Sequence, residues 1–127
     1  MSSLSRSAPS SNANRHDMMW SRSERAIARR AFDAVLRREL QEVMQEAKRM
    51  ANQIKEPSDL WTLEQYLTGR RKEIDRKYDS RSSRLAQFFG RLLQQGRLAE
   101  EELCGLREDK LASIRSYAKF LAESDAA

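Results

Sequence analysis

The chain has 127 residues, of which 39% are hydrophobic and 34% charged, and its formal net charge is +5 at pH 7, which suits one mildly basic globular domain. We expect neither a membrane span, which needs about 20 apolar residues in a row, nor a secretion signal. The single cysteine, Cys104, excludes an intramolecular disulfide and indicates a reducing compartment, so we expect a cytoplasmic protein.

Residues 1–19 are predicted to form a disordered tail. Six serines and a proline fall within the first 17 residues, MSSLSRSAPSSNANRHD, and hardly any side chain there is apolar. Such a segment cannot bury enough surface to offset the entropy that it would lose on ordering. The remainder, residues 20–127, is predicted to form a single helical domain.

The longest predicted element is a helix over about residues 21–54, a stretch without proline or glycine. Its apolar side chains recur in steps of four and three, the spacing of a coiled-coil seam, at Leu36, Leu40, Val43, Ala47, Met50 and Ile54. At about 1.5 Å per residue the helix is close to 50 Å long, whereas a body built from the other folded residues is roughly 28 Å across. We therefore expect a second copy to cover part of this seam, in a homodimer whose interface includes Leu36, Leu40 and Val43.

Shorter helices are predicted after the first one. Pro57 ends the first helix, and Ser58 or Asp59 can cap the next, which is predicted over about residues 59–78. Further helices, forming a small head, are predicted within about residues 82–122, where apolar side chains again recur at helical spacing. No segment carries a clear strand pattern. The predicted fold class is all-α, with a long N-terminal helix and a small helical head.

One guanidinium, that of Arg71, interrupts the apolar stripe of the second predicted helix. An unpaired guanidinium in a protein core is very costly. At a subunit boundary, its stem would lie along apolar neighbours while its charge paired with Asp75, with Glu64 or with a carboxylate of the partner chain. The alternative interpretation is a surface arginine at the edge of the apolar face.

Catalysis finds no support in the sequence. The sole histidine, His16, lies in the predicted tail, and Cys104 has no histidine companion, so we interpret Cys104 as a small buried thiol. Neither a glycine-rich phosphate loop nor metal-ligand spacing is present, and the acidic run AEEEL is typical of a helix start. We expect no enzyme activity, no cofactor and no metal.

Nucleic-acid binding is the rival function from another class. Six arginines lie in the first half of the long helix, at Arg22, Arg25, Arg29, Arg30, Arg37 and Arg38. Five acidic residues are interleaved with them, at Glu24, Asp33, Glu39, Glu42 and Glu46. Such alternation is typical of a solvated, mixed-charge helix face, and it dilutes the positive field that a nucleic acid would need. Nucleic-acid binding is therefore the weaker alternative.

Three stretches together resemble the fluorescence recovery protein family of cyanobacteria. They are DLWTLEQYL and RRKEIDRKYD within residues 59–79, FFGRLLQQGRLAEEEL at residues 88–103, and WSRSERAIARRAF with the later RREL from Trp20 onward. The resemblance implies an all-helical, antiparallel homodimer without pigment or covalent chemistry. It also implies binding to the photoactivated, red form of the orange carotenoid protein, faster return of that protein to its orange resting form, and an end to antenna quenching. Peripheral association with the cytoplasmic face of the thylakoid is a further expectation.

The resemblance also assigns roles to individual residues. Leu60, Trp61 and Arg71 match family positions at or beside the dimer interface. Glu64 and Gln65 align with a His-Asp pair whose aspartate helps to engage the carotenoid protein, so this chain lacks that pair.

A further departure lies in the predicted head, where Gln87 falls at a position expected to be aromatic, although Phe88 and Phe89 follow it directly. Partner contact is therefore expected around Glu64, Gln65, Phe88 and Phe89. The alternative is a dimeric helical adaptor of this family whose client is a different protein.

Overall fold

The computed structural model describes residues 20–79 and 84–126, and no strand occurs within these two ranges. Its elements are the helices α1 (Arg22–Asn52), α2 (Pro57–Lys77), α3 (Leu85–Gln94), a 3₁₀ helix (Glu100–Leu103) and α4 (Glu108–Ala126). The predicted all-α fold with a long first helix is confirmed. The predicted tail at residues 1–19 and the first residues of the predicted head, 82 and 83, lie outside the described residues.

The link between α1 and α2 differs in detail from the prediction. The first helix ends at Asn52, and the second begins at Pro57, whose fixed φ suits the first turn of a helix. Asp59 does not cap α2 but reaches back from its first turn, where its carboxylate accepts hydrogen bonds from the backbone N–H groups of Lys55 (2.8 Å) and Glu56 (3.0 Å). Those two hydrogen bonds lower the pKa of Asp59.

The chain divides into two compact units, and α1 contributes to both. We call residues 20–31 with 84–126 the head unit and residues 32–79 the hairpin unit. The head unit buries its core side chains most completely at Phe89, Leu92, Leu103 and Ile114.

Helices α3 and α4 cross closely at Gly90. A Cβ atom at this position would lie 2.9 Å from the carbonyl oxygen of Ile114 and 3.0 Å from Cβ of Tyr117. Only glycine therefore permits this approach without displacing the backbone of α4.

Cys104, at the end of the 3₁₀ helix, is exposed. The expectation that Cys104 is a buried thiol is thus wrong. Its neighbours Leu103 and Leu106 supply the buried side chains of this segment instead.

In the hairpin unit, α1 and α2 run in opposite directions. The ring of Phe32 packs edge-on against that of Tyr78 with centroids 5.5 Å apart, while Glu39, two turns further along α1, meets Arg70, two turns earlier in α2. Val35, Ile74 and Tyr78 are buried in this unit. The strip of α1 that packs on α2 therefore begins at Phe32 and continues through Val35 to Glu39.

The predicted seam lies beside this buried strip. Leu36 and Val43 are half-buried, and Leu40 is exposed. The reason is rotational: the side chains of positions 35 and 39 point toward α2, so positions 36 and 40, each about 100° further round the helix, point past it. The seam is consequently only partly covered by its own chain.

Candidate interaction surface

The hairpin unit exposes large apolar side chains on both of its helices. Those on α1 are Leu40 and Met44, one turn apart, and those on α2 are Leu60, Trp61 and Leu67. Leu60 is 48% exposed and Trp61 63% exposed. Several large exposed apolar side chains in one unit of a small protein usually mark a contact with another molecule. We call these five side chains the apolar face.

The residues predicted for the dimer interface differ in their exposure. Leu40, Leu60 and Trp61 belong to the apolar face, whereas Leu36 and Val43 are half-buried at the neighbouring seam. All five lie within the hairpin unit. Their assignment to an interface between two copies stays a prediction, since the structure contains one chain.

Arg71 lies on the surface of α2, with its side chain 84% exposed. Its Nε atom is 3.9 Å from Oδ2 of Asp75, the carboxylate one turn further on, and that side chain is exposed as well. Glu64, the other candidate within the chain, instead accepts a hydrogen bond from the hydroxyl of Thr68 at 3.0 Å. An exposed pair at this distance contributes well under about 1 kcal/mol, so Arg71 is free to exchange Asp75 for another carboxylate.

A buried carboxylate that the sequence did not predict lies one position from the apolar face. Glu39 was expected on a solvated helix face, but it is only 3% exposed, and that expectation is wrong. It accepts hydrogen bonds from the Tyr78 hydroxyl (2.7 Å), the Lys77 ammonium (3.1 and 3.3 Å) and the Arg70 guanidinium (3.3 Å). We call these four residues the Glu39 cluster.

The Arg70 guanidinium connects this cluster to the surface. It also donates to Glu73, an exposed residue one turn further along α2. Burial by itself would lower the pKa of Arg70, but the hydrogen bonds to Glu73 and Glu39 outweigh it, and the pKa is raised. The sequence held one clue to this arrangement: Glu39 follows Phe32 and Val35 at helical spacing and so lies on their apolar side of α1.

A second buried carboxylate, Glu24, organises the head unit. It is 1% exposed, so its predicted place on a solvated face is also wrong. Its oxygens accept hydrogen bonds from the backbone N–H groups of Ser21 and Arg107, both at 2.9 Å, and lie 3.3 Å from the Lys110 ammonium. Lys110 is itself buried, with its ammonium 5.8 Å from the centroid of the Trp20 ring.

The charge state of Glu24 follows from these contacts. Burial alone would raise its pKa, but the hydrogen bonds from Ser21 and Arg107 and the ammonium of Lys110 together outweigh burial, and the pKa is lowered. Glu24 is therefore ionised in the folded head unit at neutral pH.

The residues predicted for partner contact fall into two groups. Glu64 and Gln65 are exposed on α2, and Gln87 is exposed on α3. Phe89 is fully buried in the head core, and Phe88 is half-buried with its ring centroid 5.2 Å from that of Phe89. Phe88 is thus the member of the pair that retains accessible surface.

Sequence reasoning missed one exposed aromatic side chain in the head unit. Phe120 of α4 is more than half exposed, and its ring centroid lies 5.9 Å from that of the half-buried Tyr117. Phe120 lies about 100° round α4 from the buried Leu121, so helical spacing alone does not single it out.

Two other kinds of feature, a metal site and a membrane span, are absent from the described parts of the chain. Between residues 20 and 79 and between 84 and 126, no group of three or more His, Cys, Asp or Glu side chains is placed to hold a metal ion. Within these ranges no helix combines the length and the apolar character needed to cross a membrane. The apolar face is therefore the surface feature that calls for a functional explanation.

Comparison with known proteins decides the family. A family model described as "Photoprotection regulator fluorescence recovery protein" matches residues 20–118, which include the hairpin unit and most of the head unit. The chain belongs to the fluorescence recovery protein family. The fluorescence recovery protein of Synechocystis sp. (strain PCC 6803) is 37% identical over 101 residues, which cover 80% of this chain and 93% of that relative.

Solved structures of fluorescence recovery proteins share the fold. The protein from Fremyella diplosiphon is 40% identical and superposes with a TM-score of 0.72, covering 79% of this chain and 98% of that one. The Synechocystis sp. PCC 6803 structure gives the same TM-score at 37% identity, with the same coverage. The predicted resemblance to the fluorescence recovery protein family is thus confirmed.

Proposed function

We propose that this chain is a homodimeric, non-enzymatic regulator that binds the photoactivated orange carotenoid protein and accelerates its return to the orange resting form, thereby ending antenna quenching. It acts in the cytoplasm, peripherally at the thylakoid, without a cofactor. Membership of a family of photoprotection regulators supports the role. The single structural observation that carries the assembly is the apolar face of the hairpin unit.

The apolar face supports the dimer on energetic grounds. Each of its five side chains is about half exposed, so covering it contributes on the order of 1 kcal/mol. A twofold interface uses every such residue twice, once from each copy. Arg71 lies four residues beyond Leu67 on the same side of α2, where a partner chain would offer it a new carboxylate at the edge of the apolar contact.

Client contact is proposed at the surface around Glu64, Gln65 and Phe88, with Phe89 supporting Phe88 from the core. A binding partner favours the resting form of the carotenoid protein only if it binds that form, or an intermediate on the way to it, more tightly than it binds the red form. The contact is therefore expected to be selective between the two states of the client.

The alternative function is a dimeric adaptor of the same fold with a different client. Three departures from the expected family pattern favour it, namely Glu64, Gln65 and Gln87, all of which are exposed. The two proposals share the dimer and differ only in the partner. Nucleic-acid binding stays a third candidate, because two of the acidic residues thought to dilute the basic charge, Glu24 and Glu39, are buried and paired and so dilute it less than predicted.

The test is kinetic. An orange carotenoid protein is converted with blue light, and its dark recovery is followed with and without this chain. Faster recovery supports the proposal. If the chain is dimeric and recovery is unchanged with carotenoid proteins from several species, the client assignment is contradicted and the adaptor is favoured. The double variant Glu64→His with Gln65→Asp then tests whether those two departures are the cause.

Assembly is tested separately by light scattering. Trp61→Glu places a charge on the apolar face and is expected to yield a folded monomer, whereas Lys72→Glu, an exposed change on the same helix, leaves the dimer intact. A wild-type chain that is monomeric at micromolar concentration would refute the dimer. Salt-sensitive binding of single or double strands would favour the nucleic-acid alternative.

A further inference from the structure

The Glu39 cluster has no role in the function proposed above. Its members join α1 to the α2 segment entirely within the hairpin unit: Glu39 comes from α1, Arg70 and Lys77 come from the last two turns of α2, and Tyr78 follows α2 directly. The carboxylate is buried, while the two cationic side chains are each 22% exposed. The cluster therefore lies at the boundary between the buried side chains of the hairpin unit and the solvent.

Stability alone is a poor explanation for such a cluster. Replacing a buried ion pair with apolar side chains of similar volume is often neutral or stabilising, because charges are costly to desolvate. Buried polar groups are better attested as devices that select one register between helices. The geometry of the Glu39 cluster suits that use.

The three donors approach Glu39 from both directions along α2. Arg70 and Lys77 are seven residues apart, about 10 Å along a helix, and both reach the same carboxylate. If α2 moved by one turn, about 5.4 Å, in either direction, one of the two cations would lose contact with Glu39. Apolar side chains at a three-to-four spacing repeat every turn and discriminate poorly against such a shift.

We propose that the Glu39 cluster sets the register of α1 against α2 and so determines which side chains form the apolar face. Glu39 acts as a positioning residue, because it lies next to the exposed Leu40, and Arg70 lies three residues after the exposed Leu67. A one-turn shift would move Leu40 relative to Leu67 by the same distance. The consequence for self-association rests on the proposed homodimer, in which each displacement occurs twice.

The register is measured directly by pulsed electron paramagnetic resonance. Spin labels are placed at Lys48→Cys on α1 and Arg76→Cys on α2, both exposed, in a Cys104→Ser background, and labelled chains are diluted with unlabelled ones. Because Phe32 lies opposite Tyr78, these two positions are offset by roughly 20 Å along the helix axes, so a slide of α2 changes their separation. The parent protein is expected to give one narrow distance distribution. Glu39→Gln, which keeps the shape but removes the charge, is expected to add a second population displaced by about 4 Å, the effect of a one-turn slide at this offset.

Glu73→Gln is the matched control. Glu73 also binds Arg70, but its side chain is 57% exposed, so the same substitution there is expected to leave one distribution. If Glu39→Gln does not fold, Lys77→Gln removes one of the two cations that reach Glu39 and leaves the carboxylate in place. A broadened distribution in Lys77→Gln then supports the proposal, and an unchanged one overturns it.

The dimer dissociation constant, from sedimentation equilibrium, gives the second measurement. Glu39→Gln is expected to weaken the dimer by about tenfold or more, and Glu73→Gln by less than about twofold. An unchanged distance distribution and dissociation constant in Glu39→Gln, with only a lower unfolding midpoint, would overturn the proposal. A monomeric parent protein would refute the proposed dimer, yet the distance measurement would still decide the register.

Discussion

Lys110→Met tests the buried pair in the head unit. The substitution keeps an unbranched side chain of similar length but removes the ammonium that lies 3.3 Å from Glu24. Breaking a buried pair by removing one partner costs about 3–5 kcal/mol, because the remaining charge is left buried. Glu24 keeps the backbone N–H groups of Ser21 and Arg107, so we expect a loss of about 3 kcal/mol, the lower end of that range.

The measurement is urea unfolding followed by far-ultraviolet circular dichroism at one fixed protein concentration, since dimerisation would add to the apparent stability. Lys119→Met, an exposed change on the same helix, is the control and is expected to stay within about 0.5 kcal/mol of the parent. The double variant Glu24→Gln with Lys110→Met should lose less than the sum of the two single changes. If Lys110→Met matched Lys119→Met, the pair would not stabilise the head unit and the reasoning would be refuted.

Three further predictions concern the head unit and one matched position in α2. Gly90→Ala should destabilise the protein by about 2 kcal/mol in thermal unfolding, because the new Cβ would meet the Ile114 carbonyl. Gly69→Ala, where nothing lies within 4 Å of the new Cβ, should instead stabilise α2 by up to about 1 kcal/mol. Equal effects of the two substitutions would contradict the close crossing of α3 and α4. Because the pKa of Glu24 is lowered, its contribution to stability is present above the ordinary glutamate value of 4.5 and is lost as pH falls through the folded pKa. Glu24→Gln should therefore reduce the loss of unfolding free energy at acidic pH. An unchanged pH dependence of the unfolding free energy would contradict this. Exposed Cys104 should react with a disulfide reagent in native buffer as fast as in urea, and protection in native buffer would show that it is covered.

The helices were predictable because their signals are local. Proline at 57 and apolar residues at three-to-four spacing define α1 and α2 to within two residues. The family pattern around Leu60 and Trp61 pointed to the exposed part of the hairpin unit, although no pattern could show how much of each side chain is uncovered.

The burial of individual charges was not predictable from one helix at a time. Glu24 and Glu39 look like other acids of α1, but the cations that pair with them, Arg70, Lys77 and Lys110, lie 31 to 86 positions away along the chain. Arg71 stands out in the sequence because it interrupts an apolar stripe, yet its neighbour Arg70 is the one that reaches the buried carboxylate. Spacing identifies a face of a helix, but the partner on the opposite element decides which charge is buried.

One side chain in the head unit serves two helix starts at once. The Glu24 carboxylate holds the amide hydrogen of Ser21, just before α1, and that of Arg107, just before α4, although Glu24 and Arg107 are 83 positions apart. A movement that withdraws this carboxylate frees both amides at once, so the two hydrogens should show similar protection factors against exchange with deuterium. Fraying at the start of α1 is thereby coupled to fraying at the start of α4.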